Sequence, residues 1–88
     1  MNAKRTPALG GYIRACLSGA AMSQKQLAEA IGCAPAQVSN WATGRERPSA
    51  HRLRQLAGKL GGFRYKSAVY MLIFDLGSDI GQQYEVLS

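Results

Sequence analysis

Acidic side chains are scarce in this chain. Five Asp and Glu stand against eleven Lys and Arg, a formal net charge of +6, which favours a polyanionic partner over a cationic one. Cysteine is nearly missing: Cys16 and Cys33 make neither a disulfide framework nor a metal-ligand set, and no signal-peptide pattern precedes them. A reduced cytoplasm is the expected setting, with each thiol serving as a small packed hydrophobe. His51 is the single histidine and has no Asp or Cys at ligand spacing, which speaks against a metal site and against acid–base catalysis. Ser18, Ser23 and Ser39 show no partner base. The longest apolar run, AVYMLIF at 68–74, falls far short of the roughly 20 residues of a bilayer span. An 88-residue chain can build one modest core but not a core plus a deep catalytic cleft. The expectation is a soluble, non-enzymatic domain without cofactor or metal.

What charge there is lies unevenly. Residues 1–66 hold all eleven basic groups with only Glu29 and Glu46, for +9, whereas residues 67–88 carry Asp75, Asp79 and Glu85, for −3. The body is basic and the tail opposes it.

Apolar spacing predicts a series of short helices. Thr6-Pro7 reads as an N-cap followed by proline at the first helical position, after which Leu9, Ile13, Cys16, Leu17 and Ala20 recur at helical intervals up to a loose end near Gly19. Ser23 followed three residues later by Gln26 is the reciprocal capping pattern of a second helix, with Leu27, Ala28 and Ile31 as its buried stripe and Gly32 as its stop. Pro35 opens a third helix, in which Val38 and Trp41 share one side and Gly44 closes the run. Pro48-Ser49 opens a fourth, carrying Leu53, Leu56, Ala57 and Leu60 before Gly61-Gly62. In the last segment Val69, Leu72, Ile73, Leu76 and Ile80 fit a helical face bracketed by Ser67 and Gly77. VYMLIF is also rich in strand formers, and LGSDIG could turn it into a hairpin with QQYEVL, so the helix is favoured and the hairpin stays open. The fold class is therefore all-α, a compact bundle of four to five helices, with an arm at 1–8, a main unit at 9–62 and an apolar C-terminal segment at 63–88.

The second and third predicted helices are separated by only Gly32, Cys33 and Ala34, a turn suited to two helices meeting steeply. Ala28 permits close approach, and Ile31, Val38 and Trp41 lock the pair from beneath. One face of the third helix is left free, and a protruding helix fits the roughly 12 Å wide major groove of duplex DNA.

Taken in order, Leu9-Gly10, Ile13-Arg14, MSQKQLA at 22–28, Gly32, VSNW at 38–41, Gly44 and Arg47-Pro48-Ser49 give a sequence that resembles the Cro and lambda-repressor-like helix-turn-helix family, often called XRE. The likeness runs from residue 9 to about 61 and offers little beyond Gly62. It implies a lambda-repressor-like helical domain that binds operator DNA as a dimer, usually to repress transcription. The chain departs from the family where members carry Ser or Thr at the cap of the recognition helix and a long polar residue after it. Ala34 and Pro35 stand there instead. The missing side-chain cap should cost about 1 kcal/mol, offset in part by the fixed proline backbone.

Base reading is then expected further along the helix. Asn40 and Gln37 can each present a paired donor and acceptor to an adenine edge, the methyl of Ala36 suits a thymine methyl, and Ser39 is a weaker candidate. Phosphate contacts are expected from Gln24, at a helix start that already favours an anion, and from Arg45 and Arg47 in the following loop, with Arg52 and Arg54 behind them. In the tail, Tyr70, Met71, Phe74 and Tyr84 exceed what a core of this size comfortably hides, which points to a homodimer interface, with simple core completion as the plainer account. The function expected is a phage, plasmid or bacterial transcription regulator, acting as a homodimeric repressor on a pseudo-palindromic duplex operator in the cytoplasm. The rival is an antitoxin-type protein whose C-terminal segment covers a toxin while its DNA binding is autoregulatory.

Overall fold

The computed structural model describes residues 5–84. Helix α1 (Pro7–Gly19) starts with proline in its first turn and buries Leu9, Gly10, Ile13 and Leu17. Thr6 occupies the N-cap position, but its side chain makes no capping bond. Its backbone, at φ −122° and ψ 68°, lies off the extended geometry that aims a cap side chain at the first turn. The buried Thr6 hydroxyl has no partner among the described residues. Instead the cap comes from the far end of the chain. The half-buried Asp75 carboxylate accepts from the Ala8 N–H at 3.2 and 3.1 Å and from the Leu9 N–H at 3.2 Å. A carboxylate at a helix N-terminus satisfies otherwise orphaned donors and opposes the positive end of the dipole. Asp75→Ala should therefore lower stability by about 1–2 kcal/mol, read as a lower midpoint in thermal melting by circular dichroism. An unchanged midpoint would remove Asp75 from the cap.

Helix α2 (Gln24–Ile31) opens with the reciprocal pattern in place: Ser23 Oγ accepts from the Gln26 N–H at 3.0 Å, and Gln26 Oε1 accepts from the Ser23 N–H at 2.8 Å. Gly32 ends it at φ +76°, a left-handed backbone that glycine takes without steric cost. Its N–H and that of Cys33 both donate to the Ala28 carbonyl, at 2.9 and 3.0 Å. Helix α3 (Pro35–Ala42) follows, and α4 (Ala50–Lys59) is capped by Ser49 Oγ, which accepts from the Arg52 N–H at 3.2 Å.

The last segment is helical, and the hairpin alternative does not occur. Helix α5 (Tyr65–Leu76) is followed by a 3-10 turn at Ser78–Ile80 and a short helix α6 (Gly81–Tyr84), and no strand is present among the described residues. Ala68, Val69 and Leu72 are buried together. That is the one-sided stripe of a helix packed on α1 and α4, whereas a strand would hide alternate residues. Phe63, Ile80 and Tyr84 join the same core cluster as Leu9, Leu27 and Leu53, so the C-terminal segment completes the core of the bundle.

Tyr84 requires a correction. Expected at a dimer face, it is only 3% exposed within its own chain, and its hydroxyl donates to the Pro48 carbonyl at 2.8 Å. The 3-10 turn folds the chain back so that the ring faces the bundle. Burial pushes the phenol above its ordinary range, with nearby Arg47 pulling the other way. Cys16 is half-buried; burial raises its thiol, opposed by a hydrogen bond with Tyr12, as befits a packed side chain rather than a reactive thiolate.

Two glycines let α1 meet the end of α3. A Cβ on Gly10 would lie 2.7 Å from the Ala42 carbonyl oxygen, and one on Gly44 would lie 3.0 Å from the Thr6 backbone. The Gly44 carbonyl accepts from the Thr6 N–H at 2.9 Å, which ties the start of the chain to the exit of α3.

Candidate nucleic-acid interface

The turn at residues 32–34 sets α3 directly on α2. Ala28, Ile31, Val38 and Trp41 are all buried, with Ala42 beside them, so the expected lock beneath the pair is formed. Burial on one side of α3 leaves the other free. Ala36 is exposed, and Gln37, Ser39 and Asn40 are half-buried. The side-chain amides of Gln37 and Asn40 make no hydrogen bond within the described residues, so both retain donors and acceptors for an incoming base edge.

Both ends of α3 are held by unusual means. Ala34, extended at φ −74° and ψ 142°, provides no side-chain cap; its carbonyl accepts from the Gln37 N–H at 3.0 Å, and Pro35 removes one of the donors a cap would serve. At the other end the Arg14 guanidinium, from α1, donates to the Ala42 carbonyl. A cation there satisfies an orphan carbonyl and opposes the negative end of the helix dipole.

Thr43 belongs to the same outer face, although no sequence motif marks it. It is exposed just past Ala42, three residues beyond Asn40 and seven beyond Ala36, an interval that places all three on one helical face. That spacing is the signal that could have found it. Its hydroxyl donates to the Ser39 carbonyl at 2.9 Å and the Asn40 carbonyl at 3.3 Å.

The loop after α3 is pinned at its start. The Arg45 and Glu46 N–H groups both donate to the Asn40 carbonyl, at 2.9 and 3.2 Å. Arg45 and Arg47 are exposed; Arg47 Nη2 donates to Gln83 Oε1 at 3.2 Å. Gln24 is the first residue of α2 and half-buried. Arg52 is placed differently: its Nη1 donates to the Ile31 carbonyl at 3.2 Å and to Gln55 Oε1 at 2.8 Å. It thereby seals the C-terminus of α2, with its guanidinium committed inside the fold. Arg54 lies over the Tyr65 ring at 4.3 Å, a cation–π contact.

On α5, Phe74 is 82% and Tyr70 53% exposed, one turn apart, while Met71 is half-buried against the core. No described helix is long and apolar enough to cross a membrane.

A family model described as Helix-turn-helix matches residues 13–62, more than half of the chain. No curated protein and no solved structure matches it. The matched span runs from Ile13 of α1 to Gly62 beyond α4 and contains the α2–turn–α3 unit whose outer face is described above. The chain belongs to the Cro/C1-type helix-turn-helix family, the XRE family of DNA-binding transcription regulators.

Proposed function

We propose that the protein is a sequence-specific regulator of a phage, plasmid or bacterial genome, acting in the cytoplasm as a homodimeric repressor with no catalytic step. The observation that carries this reading is the outer face of α3, where Ala36 and Thr43 are exposed and the amides of Gln37 and Asn40 have no partner among the described residues. Ala36, Gln37, Ser39 and Asn40 read bases in the major groove, while Gln24, Arg45 and Arg47 grip phosphates. Arg52 contributes at most through charge, since its hydrogen bonds go to Ile31 and Gln55. Two copies of α3, about 34 Å apart in a dimer, match successive major grooves of a pseudo-palindromic site. Occupying such a site excludes polymerase.

The exposed Phe74 and Tyr70 support self-pairing through α5, with Met71 at the margin. Phe74→Glu should then give a monomer by sedimentation, with binding to a two-half-site duplex reduced at least tenfold, on the order of 1.4 kcal/mol. A dimer of unchanged mass would place the interface elsewhere. The same apolar patch favours a second reading, an antitoxin whose C-terminal segment covers a different protein. Stoichiometric co-purification of such a partner, lost in Phe74→Glu, would select that reading over the first. The decisive test of the regulator is selection of bound duplexes from a random pool together with the sedimentation mass. A palindrome and a dimer mass are expected; recovery of random sequence would overturn sequence-specific binding.

A further inference from the structure

Gln83 and Tyr84 of α6 lie against the loop that carries the basic residues. Arg47 Nη2 donates to Gln83 Oε1 at 3.2 Å. One residue on, the Tyr84 hydroxyl donates to the Pro48 carbonyl at 2.8 Å, and the Tyr84 carbonyl accepts from the Tyr65 hydroxyl of α5. Because Tyr84 is 3% exposed, the bond to Pro48 is made away from water, where competition is weakest. Arg45, Glu46 and Arg47 line a cleft together with Leu76, Asp79, Ile80 and Gln83. The loop is thus held twice: at Arg45 and Glu46 by the Asn40 carbonyl, and at Pro48 by Tyr84.

Arg47 sits between the two anchors. A free arginine side chain spreads over many rotamers, and ordering it on a phosphate opposes binding. Gln83 supplies a neutral acceptor, so it restricts the guanidinium without itself cancelling the charge, and no other described residue accepts from Arg47.

We propose that Gln83 and Tyr84 are positioning residues for the DNA-backbone grip, the C-terminal turn holding Arg47 and its loop in the posture that meets a phosphate. This rests on the reading of Arg47 as a phosphate contact, and the test separates the two.

Binding of the full chain to a random-sequence DNA duplex is followed by fluorescence anisotropy over a series of salt concentrations. Arg47→Ala should weaken binding and flatten the log–log salt slope by about one unit. Gln83→Ala should weaken binding about two- to fivefold while thermal melting stays as in the parent, since Gln83 is exposed. Tyr84→Phe, which keeps the ring, should give a loss of similar size. The coupling decides: in an Arg47→Ala background, Gln83→Ala should change nothing further. A Gln83→Ala loss that persists in that background, or no loss in either, would overturn the positioning role while leaving Arg47 on the DNA. An Arg47→Ala variant with parental affinity and slope would remove the phosphate contact and the positioning role together.

Discussion

Trp41→Ala should remove about 3–5 kcal/mol of stability, a large fraction of the roughly 5–15 kcal/mol by which native domains are stable. Trp41 is 1% exposed and is the largest of the fully buried side chains. It lies on the inner side of α3 with Val38 and Ala42, where α3 meets both α1 and α2. Truncation to a methyl group leaves a void that close-packed neighbours fill only in part, and the lost dispersion contacts add to the lost transfer energy. Since the chain's single tryptophan disappears with the substitution, urea unfolding is best followed by far-ultraviolet circular dichroism. A variant that unfolds at the parental midpoint but no longer binds DNA would place Trp41 at the interface instead of beneath it.

Asn40→Ala should act in the opposite way, sparing the fold and reducing the preference for a selected operator over random DNA by about 1–3 kcal/mol. The side-chain amide has no partner among the described residues, and the Asn40 carbonyl that holds Arg45 and Glu46 is backbone, which alanine retains. Competition binding with both duplexes measures the difference. Equal weakening on both would mean that Asn40 touches the phosphate backbone and reads no base.

The parts of the fold legible in the sequence are those settled over a few residues. The Ser23–Gln26 pair closes over three residues, Gly32 takes its left-handed backbone by itself, and the spacing of Val38 to Trp41 needs only the pitch of a helix. These features also carry the candidate site, which explains why the outer face of α3 could be named beforehand. Thr43 is not legible in this way because it lies one residue beyond the helix proper, at its C-cap. What stayed hidden depends on distant partners. Nothing near Thr6 announces that a carboxylate 67 residues beyond Ala8 takes over its capping role. Nothing near Arg52 shows that its guanidinium turns back to Ile31. Tyr84 looked like surplus aromatic surface because the turn that returns it to Pro48 is set by packing against α5. The choice between helix and hairpin for the tail was likewise open, since apolar periodicity over so short a run fits both until a neighbour selects one.

The carboxylate on α5 that finishes α1 has a consequence for how the molecule is made. A ribosome releases the first helix long before Asp75 emerges, so for most of synthesis the amide groups of Ala8 and Leu9 are met only by water. The nascent chain can form its central helix pair early, but α1 is completed only after Asp75 has been made. Such long-range closure ties the two ends into one cooperative transition and slows folding relative to a bundle joined by neighbours alone. It also predicts that Asp75→Ala will loosen the first turn of α1 at Ala8 and Leu9, far along the chain from the substitution.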